Sequence, residues 1–251
     1  MAIDPQSHVL VIAGTDSSGG AGITRDVEMI TALGLRSCVA VTAVTAQTHQ
    51  SVEWIEHMPP GLIAAQMRAA FAANPVAAVK IGMLGAAAAI EAVGAVLACN
   101  RQVPVVLDPV LASTSGRELL EDDAIDALTR DLMPICQLVT PNLVELARLN
   151  GSVSAPDEET ALFQGEKLAR TVKTAVLVKG GHAVGAQAVD VLLQPNHPAV
   201  RFEAPRLQRG MRGTGCMLSS AIAASLACGA SLEKSVRNAK QYVFCILARA
   251  K

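Results

Sequence analysis

His8-Val-Leu-Val-Ile-Ala-Gly14 is a short apolar run closed by glycine. It leads through Thr15-Asp-Ser-Ser-Gly-Gly-Ala-Gly22 into a segment with Ile23, Val27, Ile30 and Leu33 on one helical face. This order reads as strand, glycine-rich loop, helix. The rhythm recurs: β-branched-rich runs at 35–46, 76–83, 103–109, 137–140 and 174–180 alternate with helical patterns near 60–73, 86–99, 121–131, 142–150 and 158–172. Strands alternating with helices predict an α/β fold, a mostly parallel central sheet flanked by helices on both faces. After Gly181 the pattern changes. Two short runs, 188–193 and 200–203, separated by Pro195, Asn196 and Pro198, predict a small antiparallel hairpin at the sheet edge. From Gly215 onward two helices are predicted, 215–228 and 231–250, broken at Gly229. No linker or low-complexity stretch divides residues 1–251, so a single domain is expected.

Composition narrows the function. The chain of 251 residues is 51% hydrophobic but only 2% aromatic, and its 21 Lys+Arg against 22 Asp+Glu leave a net charge of -1. That supplies neither the electrostatic footprint nor the stacking rings that a nucleic-acid partner requires. A polybasic membrane-surface protein is disfavoured on the same ground. The Ala-rich stretch from Gly85 to Ala98 is interrupted by Glu91 and is too short to span a bilayer, and the segment before the first apolar run carries Asp4 and no Lys or Arg. No membrane association is expected, and the cytoplasm is the expected location. Six cysteines (38, 99, 136, 216, 228 and 245) form no Cys-x-x-Cys, so buried thiols are expected at all but Cys216. His49, His57 and His197 have no partner at zinc-ligand spacing.

Ligands of a parallel sheet bind beyond its carboxyl ends, so the residues following each apolar run carry the information. The loop 14–22 matches neither the P-loop nor the dinucleotide fingerprint, leaving a binding loop and a plain turn both open. Gly213-Thr-Gly-Cys216 precedes a small-residue helix, where consecutive backbone N–H groups suit the charge of a transferred phosphoryl group. The same position is expected to depress the Cys216 thiol below its ordinary value of about 8.5. Asn142 and Glu145 share the first turn of a helix. They suit either magnesium and phosphate chemistry or a helix capping box. Lys179 leaves its strand into Gly180-Gly181-His182, as a point charge on phosphate or as a solvated strand end.

Together, Ala13-Gly-Thr-Asp-Ser-Ser-Gly-Gly-Ala-Gly-Ile23, Thr42-Ala-Val-Thr-Ala-Gln47, Lys80-Ile-Gly-Met-Leu84, Leu107-Asp-Pro-Val110, Thr140-Pro-Asn-Leu143, Val178-Lys-Gly-Gly-His182 and Gly213-Thr-Gly-Cys-Met-Leu-Ser-Ser220 closely resemble the hydroxymethylpyrimidine and phosphomethylpyrimidine kinases of thiamine biosynthesis, within the ribokinase-like superfamily. The likeness runs from about residue 8 to 246 with the motifs in order. It implies a homodimer that uses Mg-ATP to phosphorylate 4-amino-5-hydroxymethyl-2-methylpyrimidine and then its monophosphate. Carried over by position, the resemblance implies that Gln47 bonds the aminopyrimidine edge and that Ala21, Met83, Val110 and Asp26 line the pocket. It makes Gly213, Thr214, Gly215 and Cys216 the anion hole, with Cys216 where most of the superfamily has an Asp base. Lys179 and Asn142 then serve ATP and phosphate, and Glu145 and Asp108 lie near magnesium.

Some positions depart from the family pattern. Arg212 stands where His is common, Met217 where a small Thr is common, and Thr48-His49 replaces Asn-Thr. Arg212 either adds charge for an already phosphorylated substrate or points to solvent. Three other readings stay open: a related kinase of pyridoxal or pyridoxine, a non-catalytic pyrimidine-binding member, and a Cys-dependent hydrolase, which lacks an evident base beside Cys216. With Trp54 and Tyr242 in none of these motifs, ring recognition is expected to rest on edge hydrogen bonds rather than stacking.

Overall fold

The computed structural model describes residues 7–113, 115–180, 185–207 and 211–249. Eight strands form the main sheet: β1 (His8–Ala13), β2 (Arg36–Val41), β5 (Val76–Ile81), β6 (Val105–Leu107), β7 (Leu138–Val139), β8 (Ala175–Lys179), β9 (Gln187–Leu193) and β10 (Val200–Pro205), in the order β10-β9-β8-β7-β6-β5-β1-β2. Every pairing from β8 to β2 is parallel, and β9 and β10 add the antiparallel edge hairpin that the sequence predicts.

Alternation along β1 shows how the layers are made. Leu10 and Ile12 enter one apolar core with Ile63, Met67, Ile90 and Leu168, while Val9 and Val11 enter another with Ile30, Leu218, Ile222 and Val236. The first core belongs to α2 (Pro60–Ala73), α3 (Ala87–Ala98), α4 (Asp122–Ala127), α5 (Leu143–Leu149) and α6 (Glu158–Val172). The second belongs to α1 (Gly22–Ala32), α7 (Thr214–Ala227) and α8 (Leu232–Arg249). Both faces of the sheet are therefore covered, which the near-continuous apolar strands require. None of the described helices is long and apolar enough to cross a membrane.

Several local expectations change. The run 35–46 is not one strand: after β2 the chain turns at Thr42 and β3 (Ala43–Gln47) leaves the sheet to pair antiparallel with β4 (Val52–His57), a strand the sequence reading did not include. Tertiary bonds hold the corner. Thr42 donates its N–H to Ala13 O at 2.9 Å and its hydroxyl to Met83 O at 2.6 Å, and its own carbonyl accepts from Met58 N at 2.9 Å. The helix expected over 121–131 ends its α-helical part at Ala127 and continues as a wider turn over Leu128–Leu132. Of the thiols expected to be buried only Cys136 is fully so; Cys99 and Cys245 are exposed, because an apolar stretch of helix still turns one side to water.

Candidate active site

Sequential connections run outward on both sides of the β1–β5 pair, so this is where the strand order switches and the carboxyl ends open a crevice. The residues gathered there follow β1, β5, β6, β7 and β8, and α7 aims its N-terminus at them.

Gly213, the cap of α7, has φ 75°, and a Cβ there would fall 2.6 Å from Gly20 O and 3.2 Å from Ala21 Cα. Only glycine fits this left-handed turn against the glycine-rich loop. The first intrahelical bond ending the turn is Met217 N–H to Gly213 O at 2.9 Å, so the N–H groups of Thr214, Gly215 and Cys216 precede it and face outward. A Cβ on Gly215 would stand 3.3 Å from Lys179 Nζ and 3.6 Å from Asp108 Oδ2. The absent side chain lets the helix start approach a charged pair.

In that pair Lys179 Nζ donates to Asp108 Oδ1 at 2.7 Å and lies 3.9 Å from Glu145 Oε2. Thr140 Oγ1 also donates to Asp108 Oδ1, at 3.1 Å. Burial opposes the Asp108 charge, but the ammonium groups of Lys179 and Lys80 and these hydrogen bonds outweigh it, holding the carboxyl below its ordinary range. Burial likewise opposes the Lys179 charge, and Asp108 and Glu145 overcome it, so the ammonium is retained well above its usual range. Glu145 differs: burial dominates and pushes its carboxyl up to about 7. It also completes a capping box, accepting from Asn142 N at 2.8 Å while Asn142 Oδ1 accepts from Val144 N and Glu145 N, each at 2.9 Å. The capping alternative is thus realised, and the Asn142 side-chain oxygen is committed to the helix start.

Cys216 corrects the sequence reading. Burial pushes its thiol up to about 11, with the Asp26 and Asp108 charges adding to the rise; Lys80 and the Gly22 amide pull down without reversing it. Loss of solvation of the anion therefore outweighs both the helix start and the nearby Lys80 charge. Asp26, expected near the substrate, is fully buried: Lys80 Nζ donates to its Oδ2 at 2.7 Å and Ser220 Oγ to its Oδ1 at 2.8 Å. Lys80, given no role from sequence, is fully buried too, and Asp26, Cys216 and Asp108 hold its charge against burial. The available signal was a single Lys inside an apolar strand, a residue type hardly ever buried unpaired.

The remaining residues fall around this centre. Ala21 abuts Gly213, and Val110 N–H donates to Asp108 O at 2.9 Å. Met83 is buried, its sulfur 3.1 Å from where a Cβ of Gly14 would lie. Gln47 ends β3, and its backbone is bonded at 2.8 Å in both directions to Ser17 Oγ of the glycine-rich loop. Gly181 and His182 lie outside the described residues.

A covered parallel sheet with an edge hairpin, a separate two-stranded flap and a helix N-terminus set against a lysine–carboxylate cluster define a ribokinase-like phosphotransferase. The profile of the phosphomethylpyrimidine kinase family matches residues 16–250, and the chain belongs to that family. It is 43% identical over 242 residues to the hydroxymethylpyrimidine/phosphomethylpyrimidine kinase of Rhizobium meliloti (strain 1021), covering 96% of this chain and 90% of that one. Among solved structures it is similar to phosphomethylpyrimidine kinase from Clostridium difficile 630 (TM-score 0.82, 33% identity, 95% and 98% covered). It is also similar to an ADP complex of Bacillus subtilis pyridoxal kinase (TM-score 0.87, 28% identity, 94% and 90% covered).

Proposed function

We propose that this kinase transfers the γ-phosphoryl group of ATP to the hydroxymethyl group of 4-amino-5-hydroxymethyl-2-methylpyrimidine and then to the resulting monophosphate, in thiamine biosynthesis. The observation that carries the proposal is the approach of Gly215 at the start of α7 to Lys179 and Asp108. A loose phosphoryl-transfer transition state needs positioning and charge neutralisation above all. The N–H groups of Thr214, Gly215 and Cys216 meet charge on the equatorial oxygens, and Lys179 neutralises the polyphosphate.

Asp108 and Glu145, both against Lys179, are hard oxygen donors of the kind magnesium takes one or two at a time beside phosphate ligands, so they fit that ion. They are the residues that would hold it, and when bound it would neutralise phosphate charge. Cys216 takes the alcohol proton late. With its thiol pushed up to about 11, the thiolate is a minor but strongly basic species near neutral pH.

Gln47 supplies the donor and acceptor for the pyrimidine edge, held in place through its backbone by Ser17. The enzyme acts as a homodimer in the cytoplasm. Pyridoxal is the second reading, favoured by the higher TM-score to the Bacillus pyridoxal kinase. Gln47→Leu tests the assignment of this residue: it is expected to raise the pyrimidine KM about ten-fold or more while leaving the ATP KM near wild type, because a buried ring edge loses its partner. Equal effects on both substrates overturn the assignment.

A further inference from the structure

Arg212 is one-fifth exposed and turned inward over Gly20, where a Cβ would lie 3.0 Å from its Nη1. It stands immediately before the left-handed Gly213, so its starting direction is set by the turn that opens α7. From there the guanidinium ties together segments far apart in sequence. Nη2 lies 3.3 Å from Asp16 Oδ2; Nη1 donates to Ser18 Oγ and to Thr48 O, each at 3.1 Å, and lies 3.3 Å from His49 Nδ1.

The loop end of this network is stiff in its own right. Asp16 is buried, and its Oδ1 accepts from Ser18 N at 2.9 Å and from Ser18 Oγ at 2.7 Å. The other end is not. Residues 48–51 are exposed, and Thr48 otherwise bonds within its own turn, to Gln50 and Ser51. Gln47 lies between the two anchors, with Ser17 on its backbone and Arg212 on the carbonyl of the next residue.

We propose that Arg212 is a positioning residue for Gln47: by clamping Thr48 to the Asp16–Ser18 loop it fixes the end of β3, and with it the group that reads the substrate's ring edge. The proposal rests on the reading of Gln47 given above. A planar fork can bond a carboxylate, a hydroxyl and a carbonyl at once; the compact ammonium of lysine cannot span them. The same residue also joins the ring-reading end of the site to the helix start that receives the phosphoryl group.

A double-mutant cycle on the full chain tests this, with KM for the hydroxymethylpyrimidine, KM for ATP and kcat measured for wild type, Arg212→Gln, Gln47→Leu and the double variant. Arg212→Gln is expected to raise the pyrimidine KM about ten-fold while kcat and the ATP KM stay within about two-fold of wild type. In the Gln47→Leu background the same change adds less than about two-fold, since the group it positions is gone. Arg212→Lys behaves like Arg212→Gln. Asp16→Asn, a milder change that removes the charge holding the guanidinium, gives the same KM pattern if Arg212→Gln folds poorly. An effect of Arg212→Gln that is undiminished beside Gln47→Leu, or a loss confined to kcat, overturns the proposal. If Gln47→Leu alone leaves the pyrimidine KM unchanged, the underlying reading of Gln47 fails instead, and the proposal falls with it.

Discussion

Lys179 Nζ lies 2.7 Å from Asp108 Oδ1, at the point where the start of α7 comes close enough that a Cβ on Gly215 would stand 3.3 Å from the ammonium. The ammonium is therefore held at one place by a carboxylate that burial alone would not keep ionised. Lys179→Met is expected to lower kcat by about 10²–10³, the usual cost of losing one preorganised electrostatic group. Steady-state kinetics at saturating ATP checks it; a change in KM alone would assign Lys179 to binding only.

The raised thiol of Cys216 sets a pH dependence. Below a value of about 11 the thiolate fraction of Cys216 rises about ten-fold per pH unit, so kcat/KM should climb through the range from about 7 to 9 without levelling. Cys216→Ala should lower the rate and remove this climb. A plateau beginning near neutrality, or wild-type kcat in the Ala variant, would rule out Cys216 as the proton acceptor.

Beneath the site, Lys80 and Asp26 form a pair with neither side chain exposed. Removing Lys80 takes away the ammonium that offsets the burial of the Asp26 carboxyl and leaves it only Ser220, so Lys80→Met is expected to cost about 3–5 kcal/mol of stability. Lys80→Met with Asp26→Leu should recover a large part of that loss, because no orphan charge remains. Urea midpoints of the single and double variants decide the matter.

How far the sequence could be read follows from which interactions are local. The strand–loop–helix reading of residues 8–33 holds because its signals, an apolar run, glycines and a 3.6-residue period, lie within one segment. The capping box at Asn142 and Glu145 is local in the same way. The departure of β3 from the sheet is not: Thr42 is as strand-compatible as its neighbours, and the corner is made by Ala13, Met58 and Met83 from elsewhere in the chain. Lys80 was visible as a letter in a motif, but its partner Asp26 is 54 positions away. Arg212 was read as either a phosphate contact or a solvated side chain. In the structure it bonds the Asp16–Ser18 loop and the Thr48–His49 turn, a bridge no spacing rule contains. The Cys216 expectation considered only the helix behind the sulfur, while folding takes the sulfur out of water and brings Asp26 and Asp108 near it.

The most direct test of the account is ADP release with Mg-ATP and, separately, hydroxymethylpyrimidine, its monophosphate and pyridoxal. We expect ADP with each pyrimidine, in amounts matching the phosphorylated product, and much less with pyridoxal. ADP with pyridoxal alone would make this a pyridoxal kinase, and ADP with none of the three would contradict the catalytic account itself.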